Sequence, residues 1–147
     1  MVHPVPVPTQ KTGGTTLRVV DYMVRTAHAV SEGPTIATVV EFDAPEGNYL
    51  WRVERLAVAC TDTGDNVHVH VYAGAIAPAY LRDNTVLTSA DPQQEGFRVD
   101  QSEYPSYLNV DSNAPLIITF GGAAAGSRCM ASAQFQLVWR APAATGV

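Results

Sequence analysis

From Tyr49 to Gly74 the chain reads YLWRVERLAVACTDTGDNVHVHVYAG, and no other stretch constrains the fold as tightly. In its second half Val67, Val69, Val71 and Ala73 alternate with His68, His70 and Tyr72. Period-two alternation is the signature of a β-strand with one buried face. The first half changes phase: Trp51 and Val53 share one parity, Leu56, Val58 and Cys60 the other. One extra residue in the ladder brings both sets to the same face, so the spacing predicts a β-bulge near Glu54-Arg55. Between the halves, Thr61-Asp62-Thr63-Gly64-Asp65-Asn66 supplies the glycine and Asx side chains of a tight turn. The stretch predicts a hairpin.

The rest of the chain repeats the theme. Leu17 to Ala29 alternates loosely and predicts one strand, and Thr35 to Phe42, rich in β-branched residues, predicts the next. Ser31-Glu32-Gly33-Pro34 and Asp43-Ala44-Pro45-Glu46-Gly47-Asn48 are turn sequences. After Gly74 the pattern loosens: Ala75 to Pro78, Tyr80 to Thr85 and the polar run Asp91 to Pro105 read as a long surface connection. Such a connection between strand groups suits a Greek-key or jelly-roll crossover. Tyr107 to Val110 reads as a short strand, and Leu116 to Phe120 as a compact one that enters a hairpin through Gly121 to Ser127. In the last strand Cys129, Ala131, Ala133, Phe135, Leu137 and Trp139 face one way and Ser132, Gln134, Gln136 and Arg140 the other. A final strand of that length is expected at the centre of its sheet. No segment carries helical periodicity with caps. The expected architecture is an all-β antiparallel sandwich, jelly-roll or Greek-key-like, over residues 17–140. An extended Pro/Thr-rich arm (1–16) precedes it and a short tail (141–147) follows.

With 147 residues, 46% of them hydrophobic and 16% charged, the chain is sized for one domain with a real core. Net charge is −5 and the nine Lys and Arg residues are scattered, so no basic stripe exists to grip phosphates. Nucleic acid is not an expected partner. No run approaches the ~18–20 apolar residues of a membrane helix, so no membrane partner is expected. MVHPVPVPTQ lacks the basic segment and apolar run of a secretory signal, which points to synthesis in a cytoplasm. Alternating prolines in His3-Pro4-Val5-Pro6-Val7-Pro8 favour extended, polyproline-like backbone. The arm has few long apolar groups to offset its ordering entropy, so its expected support is a neighbouring subunit that buries Val5 and Val7.

Chemistry-bearing patterns are sparse. His68-Val69-His70 sets two imidazoles on one strand face, but a metal site needs further ligands. No Glu follows at cupin spacing, and His3 and His28 are remote in sequence, so no metal is expected. Asp62, Asp65 and Asn66 lack the spacing and the closing Glu of a calcium loop. There is no G-x-S-x-G, and neither Cys60 nor Cys129 sits in a nucleophile signature. Both cysteines fall at apolar-parity positions and read as small buried hydrophobes, with a bridge between strands as the other option. No cofactor is expected, nor an enzyme. Tyr72, Tyr80, Phe97, Tyr104 and Tyr107 fall in or beside the long connection; aromatic faces suit sugar stacking and subunit contact alike.

The segments LWRVERLAVAC, VHVYAG, LRDNT and PLIITFGGAAAGSRCMASAQFQLVWR, in that order, resemble small β-sandwich proteins of tailed actinobacterial phages, filed among capsid-decoration or minor tail genes. The resemblance covers roughly residues 48–140. It implies a structural protein of the virion, working with other virion proteins and with copies of itself as a homo-oligomer; that family carries no catalytic residues to transfer. The candidate interaction surface comprises Val5, Val7, His68, His70, Tyr72, Tyr80 and Tyr107. The alternative is a carbohydrate-binding module whose partner is host cell-wall glycan.

Overall fold

In the computed structural model, described for residues 9–12, 15–98, 109–110 and 114–140, the chain is an all-β sandwich of two antiparallel sheets. Its strands are β1 (Thr9–Thr12), β2 (Thr15–Val30), β3 (Thr38–Phe42), β4 (Tyr49–Cys60), β5 (Val67–Ala73), β6 (Leu81–Leu87), β7 (Gln93–Arg98), β8 (Asn109–Val110), β9 (Leu116–Gly121) and β10 (Arg128–Arg140). One sheet, A, has the order β1-β2-β10-β4-β7, with β8 also on β4; the other, B, has the order β3-β9-β5-β6. Setting aside β1 and β8, this is the eight-stranded jelly roll, in which most connections cross from one sheet to the other. The long last strand β10 lies between β2 and β4, at the centre of sheet A.

The phase change in β4 is a bulge. Gln134 lies opposite Arg55 and Phe135 opposite Val53, so Glu54 is the extra residue. Trp51, Val53, Leu56, Val58 and Cys60 are all buried as a result. A second irregularity falls where Leu137 and Val138 pair with Asp21 and Val19 of β2.

Two expected hairpins are not hairpins. β4 and β5 do not pair with each other, and neither do β9 and β10. The 61–66 and 122–127 loops instead carry the chain across the gap of about 10 Å between sheets. Both arrangements leave the same side chains facing the core, so alternation alone does not separate them. Two stretches read as connection are strands. Leu81–Leu87 pairs with β5 and Gln93–Arg98 with β4. Each lies at a sheet edge, where ladder hydrogen bonds can hold a polar strand; in β6 only Leu87 is fully buried. Thr9–Thr12, within the 1–16 arm, pairs with Thr15–Arg18 of β2. Val5, Val7, Tyr104 and Tyr107 lie outside the described residues.

The core is filled from both sheets by Val40, Phe42, Trp51, Val53, Leu56, Val69, Val71, Ile118, Phe120 and Phe135, among others. Phe135 meets Phe42 edge-on, with ring centroids 5.8 Å apart, and lies 5.1 Å from the Trp51 ring. Trp51 Nε1 donates to Asp43 O at 3.2 Å, which satisfies the indole while it is buried. At one end the loops lock together. Ser31 Oγ donates to Ala123 O at 3.0 Å, Ser31 N to Ser127 O at 2.8 Å, and Asp62 N to Ser127 Oγ at 3.0 Å. Gly122, at φ +94°, lies so close to Asn66 that a Cβ there would sit 2.6 Å from its carbonyl oxygen.

Candidate interaction faces

Because Val67, Val69, Val71 and Ala73 fill the core, His68, His70 and Tyr72 stand on the outer face of sheet B. His70 and Tyr72 stack with centroids 6.2 Å apart and rings 25° from parallel. Tyr80, at the end of the short 3₁₀ turn Pro78–Tyr80, lays its ring over Gly74, where a Cβ would come within 2.9 Å of Cδ1. Gly74 follows Tyr72 at strand spacing, so Tyr80 extends the row of rings along β5. Apolar side chains stand among the neighbouring positions: Leu81 lies opposite Tyr72, Val86 opposite His68, and Val39 opposite Thr119, with Asn84 opposite His70 between the first two. Val39, Tyr80, Leu81 and Val86 are exposed. Of the residues picked from the sequence, the structure thus brings together His68, His70, Tyr72 and Tyr80.

This placement bears on the imidazoles. They point away from the sandwich interior, and among the described residues no group of three or more His, Cys, Asp or Glu is arranged to hold a metal ion.

Sheet A presents a second face that sequence reading did not single out. Val20, Tyr22, Val24 and Val30 project outward from β2, with Tyr22 60% and Val24 69% exposed. Beside them lies a shallow trough of two adjoining depressions, about 230 and 200 Å³, which share Ala57 and Ser132 as lining. It exists because the outward positions of β4 and β10 carry small groups there, whereas Arg55 and Gln134 rise at one end. The sequence signal was the loose alternation of β2, whose apolar residues occupy both parities. At the far end of this face Arg52 is buried, with Nη1 3.5 Å from Gln136 Oε1. Burial pulls its guanidinium below the usual range and the Glu54 carboxylate partly restores it. Among the described residues no helix is long and apolar enough to cross a membrane.

No family model matches the chain, and no curated protein matches it at a significant level.

Proposed function

We propose that this protein is a structural component of a tailed-phage virion, displayed on the capsid or tail surface, that stabilises the particle through contacts with itself and with other virion proteins. The observation that carries this reading is the pair of exposed apolar faces on opposite sheets: Val20, Tyr22 and Val24 on one, Val39, Tyr80, Leu81 and Val86 on the other. Exposed apolar side chains gathered on one face mark candidate interaction surfaces. A rigid domain with one on each side can contact neighbours in two directions, as repeated subunits on a shell do. The jelly roll also hosts viral capsid domains, an analogy of fold that raises the prior without fixing the role. The tie to phages rests on the resemblance over residues 48–140. Synthesis in the host cytoplasm followed by assembly fits this role. Electron microscopy of particles lacking the gene tests the reading. Loss of a surface feature supports it; an unchanged outline and protein composition removes it.

A second reading is favoured by the row His70, Tyr72, Tyr80. Stacked rings along one strand are a platform for the apolar faces of sugars, and lectin domains also use the jelly roll. On this reading the face contacts host cell-wall glycan. Calorimetric titration with solubilised wall polysaccharide separates the two: no heat at millimolar sugar leaves the face to protein contacts.

A further inference from the structure

Cys60, the last residue of β4, and Cys129, near the start of β10, are direct partners across the two central strands of sheet A. Both are reduced and buried, and their sulfurs lie 3.1 Å apart. The backbone identifies the kind of pair. Thr61 N donates to Arg128 O at 3.1 Å, whereas Cys60 N turns the other way and donates to Pro92 O at 3.0 Å. The cysteines therefore occupy a non-hydrogen-bonded rung, where facing Cα atoms approach to about 4.5 Å. That spacing lies within the ~4.4–6.8 Å a disulfide spans. No backbone movement is needed to join them.

The two thiols are not equivalent. Cys60 keeps a sliver of exposure, 4%, at the rim beside Ser127 and Thr61, whereas Cys129 has none. The two sulfurs share one hydrogen bond, in which either can donate, and sharing it favours a single thiolate: Cys60 is held below the usual thiol range, while the same bond and burial push Cys129 well above it. The Ser127 hydroxyl supports the Cys60 thiolate further. Nucleophilic character thus gathers on the cysteine that keeps some exposure.

We propose that Cys60 and Cys129 form an oxidation site at which a small peroxide produces a cross-strand disulfide, tying β4 to β10 where both strands leave the sheet. The Cys60 thiolate attacks one oxygen of hydrogen peroxide. An S–O bond forms, the O–O bond breaks, and hydroxide leaves, taking up the proton that Cys60 lost to become water. The Cys129 sulfur then attacks the sulfenic sulfur of Cys60, already in contact with it. The S–O bond breaks and the departing hydroxide takes the Cys129 proton as a second water. Two thiols and one peroxide give one disulfide and two waters, and the two electrons pass from sulfur to oxygen. A bulky disulfide oxidant is disfavoured because it must insert its own sulfur into the closed rim. The bond closes a loop between positions 69 apart, which the chain-entropy account converts to a rise in Tm of about 10 °C.

The test is incubation of the purified full chain with hydrogen peroxide, followed by intact mass, thiol titration under denaturing conditions and non-reducing peptide mapping. The expected product is lighter by two hydrogens, has no titratable thiol, links the Cys60 and Cys129 peptides within one chain, and reverts with dithiothreitol. Its Tm should exceed that of the reduced protein by about the stated amount. In Cys129→Ser, which keeps a hydroxyl to hydrogen-bond Cys60, the intermediate should stop as a Cys60 sulfenic acid that dimedone traps once the chain is denatured; in Cys60→Ser, Cys129 should stay unmodified. Two persistent thiols, oxygen added without a link, or a bond only between chains overturns the proposal. If either variant fails to fold, the wild-type linked peptide decides alone.

Discussion

Deleting Glu54 should leave the fold intact, although it removes a residue from the middle of a central strand. Val53 and Arg55 would become sequence neighbours, and they already face Phe135 and Gln134, which are neighbours on β10. The bulge closes and the ladder becomes regular. Trp51, Val53, Leu56, Val58 and Cys60 all keep their inward facing, because the phase change in the sequence disappears with the residue that accommodates it. What is lost is one exposed hydrogen bond, Gln134 Nε2 to Glu54 Oε2 at 3.3 Å, the carboxylate near the buried Arg52 guanidinium, and some local twist. The expected cost is about 1–2 kcal/mol, a few degrees in Tm. Deleting Ala57 is the control. It makes Leu56 and Val58 adjacent, so Trp51, Val53 and Leu56 turn to solvent while Arg52 and Arg55 turn inward. Losing three buried side chains costs roughly 5–9 kcal/mol, and unpaired buried charges add several more. That matches or exceeds the whole stability of about 5–15 kcal/mol expected of a domain. Urea titrations followed by tryptophan fluorescence should show a cooperative transition with wild-type slope for the first variant and none for the second. A Glu54 deletion that unfolds like the control, or a control that folds normally, would show that the bulge does not absorb the phase change.

Other perturbations follow from particular contacts. Phe135→Ala empties the site between Phe42 and Trp51 and should cost about 3–5 kcal/mol, read as a lowered denaturation midpoint and lost near-UV circular dichroism. Gly122→Ala should destabilise more than Gly126→Ala. Both positions have positive φ, but only at Gly122 does the new Cβ strike a backbone carbonyl; the ~1–2 kcal/mol left-handed penalty is common to both, and differential scanning fluorimetry resolves the difference. Removing residues 2–8, which spares β1, should leave the Tm of the isolated domain unchanged while weakening incorporation into particles; normal incorporation would show that Val5 and Val7 make no subunit contact. Tyr72→Ala with Tyr80→Ala should leave the fold intact and reduce either particle incorporation or host adsorption, according to which reading of the sheet B face holds.

Side chains that commit to one face made much of this fold legible in the sequence. The bulge at Glu54 followed from the parity of Trp51 and Val53 against Leu56 and Cys60. The central place of β10 followed from its length. β6 was illegible because Arg82, Asp83, Asn84 and Thr85 bury little at a sheet edge and are held by main-chain bonds that any sequence can make. The pairing of β4 with β10 rather than with β5 is a long-range choice, since a short polar loop serves a hairpin and a crossing equally well. The same division applies to the candidate surface. Alternation alone placed His68, His70 and Tyr72 on one face. The position of Tyr80 over Gly74 depends on the 3₁₀ turn that precedes β6, and the trough on sheet A depends on which small residues of β4 and β10 fall side by side.

Quantitative mass spectrometry of density-purified particles tests the virion assignment. This chain should copurify with the particle in a fixed ratio to the major capsid or tail protein, at a copy number set by the symmetry of the surface it covers. Abundance in the infected-cell lysate with absence from purified particles would contradict it.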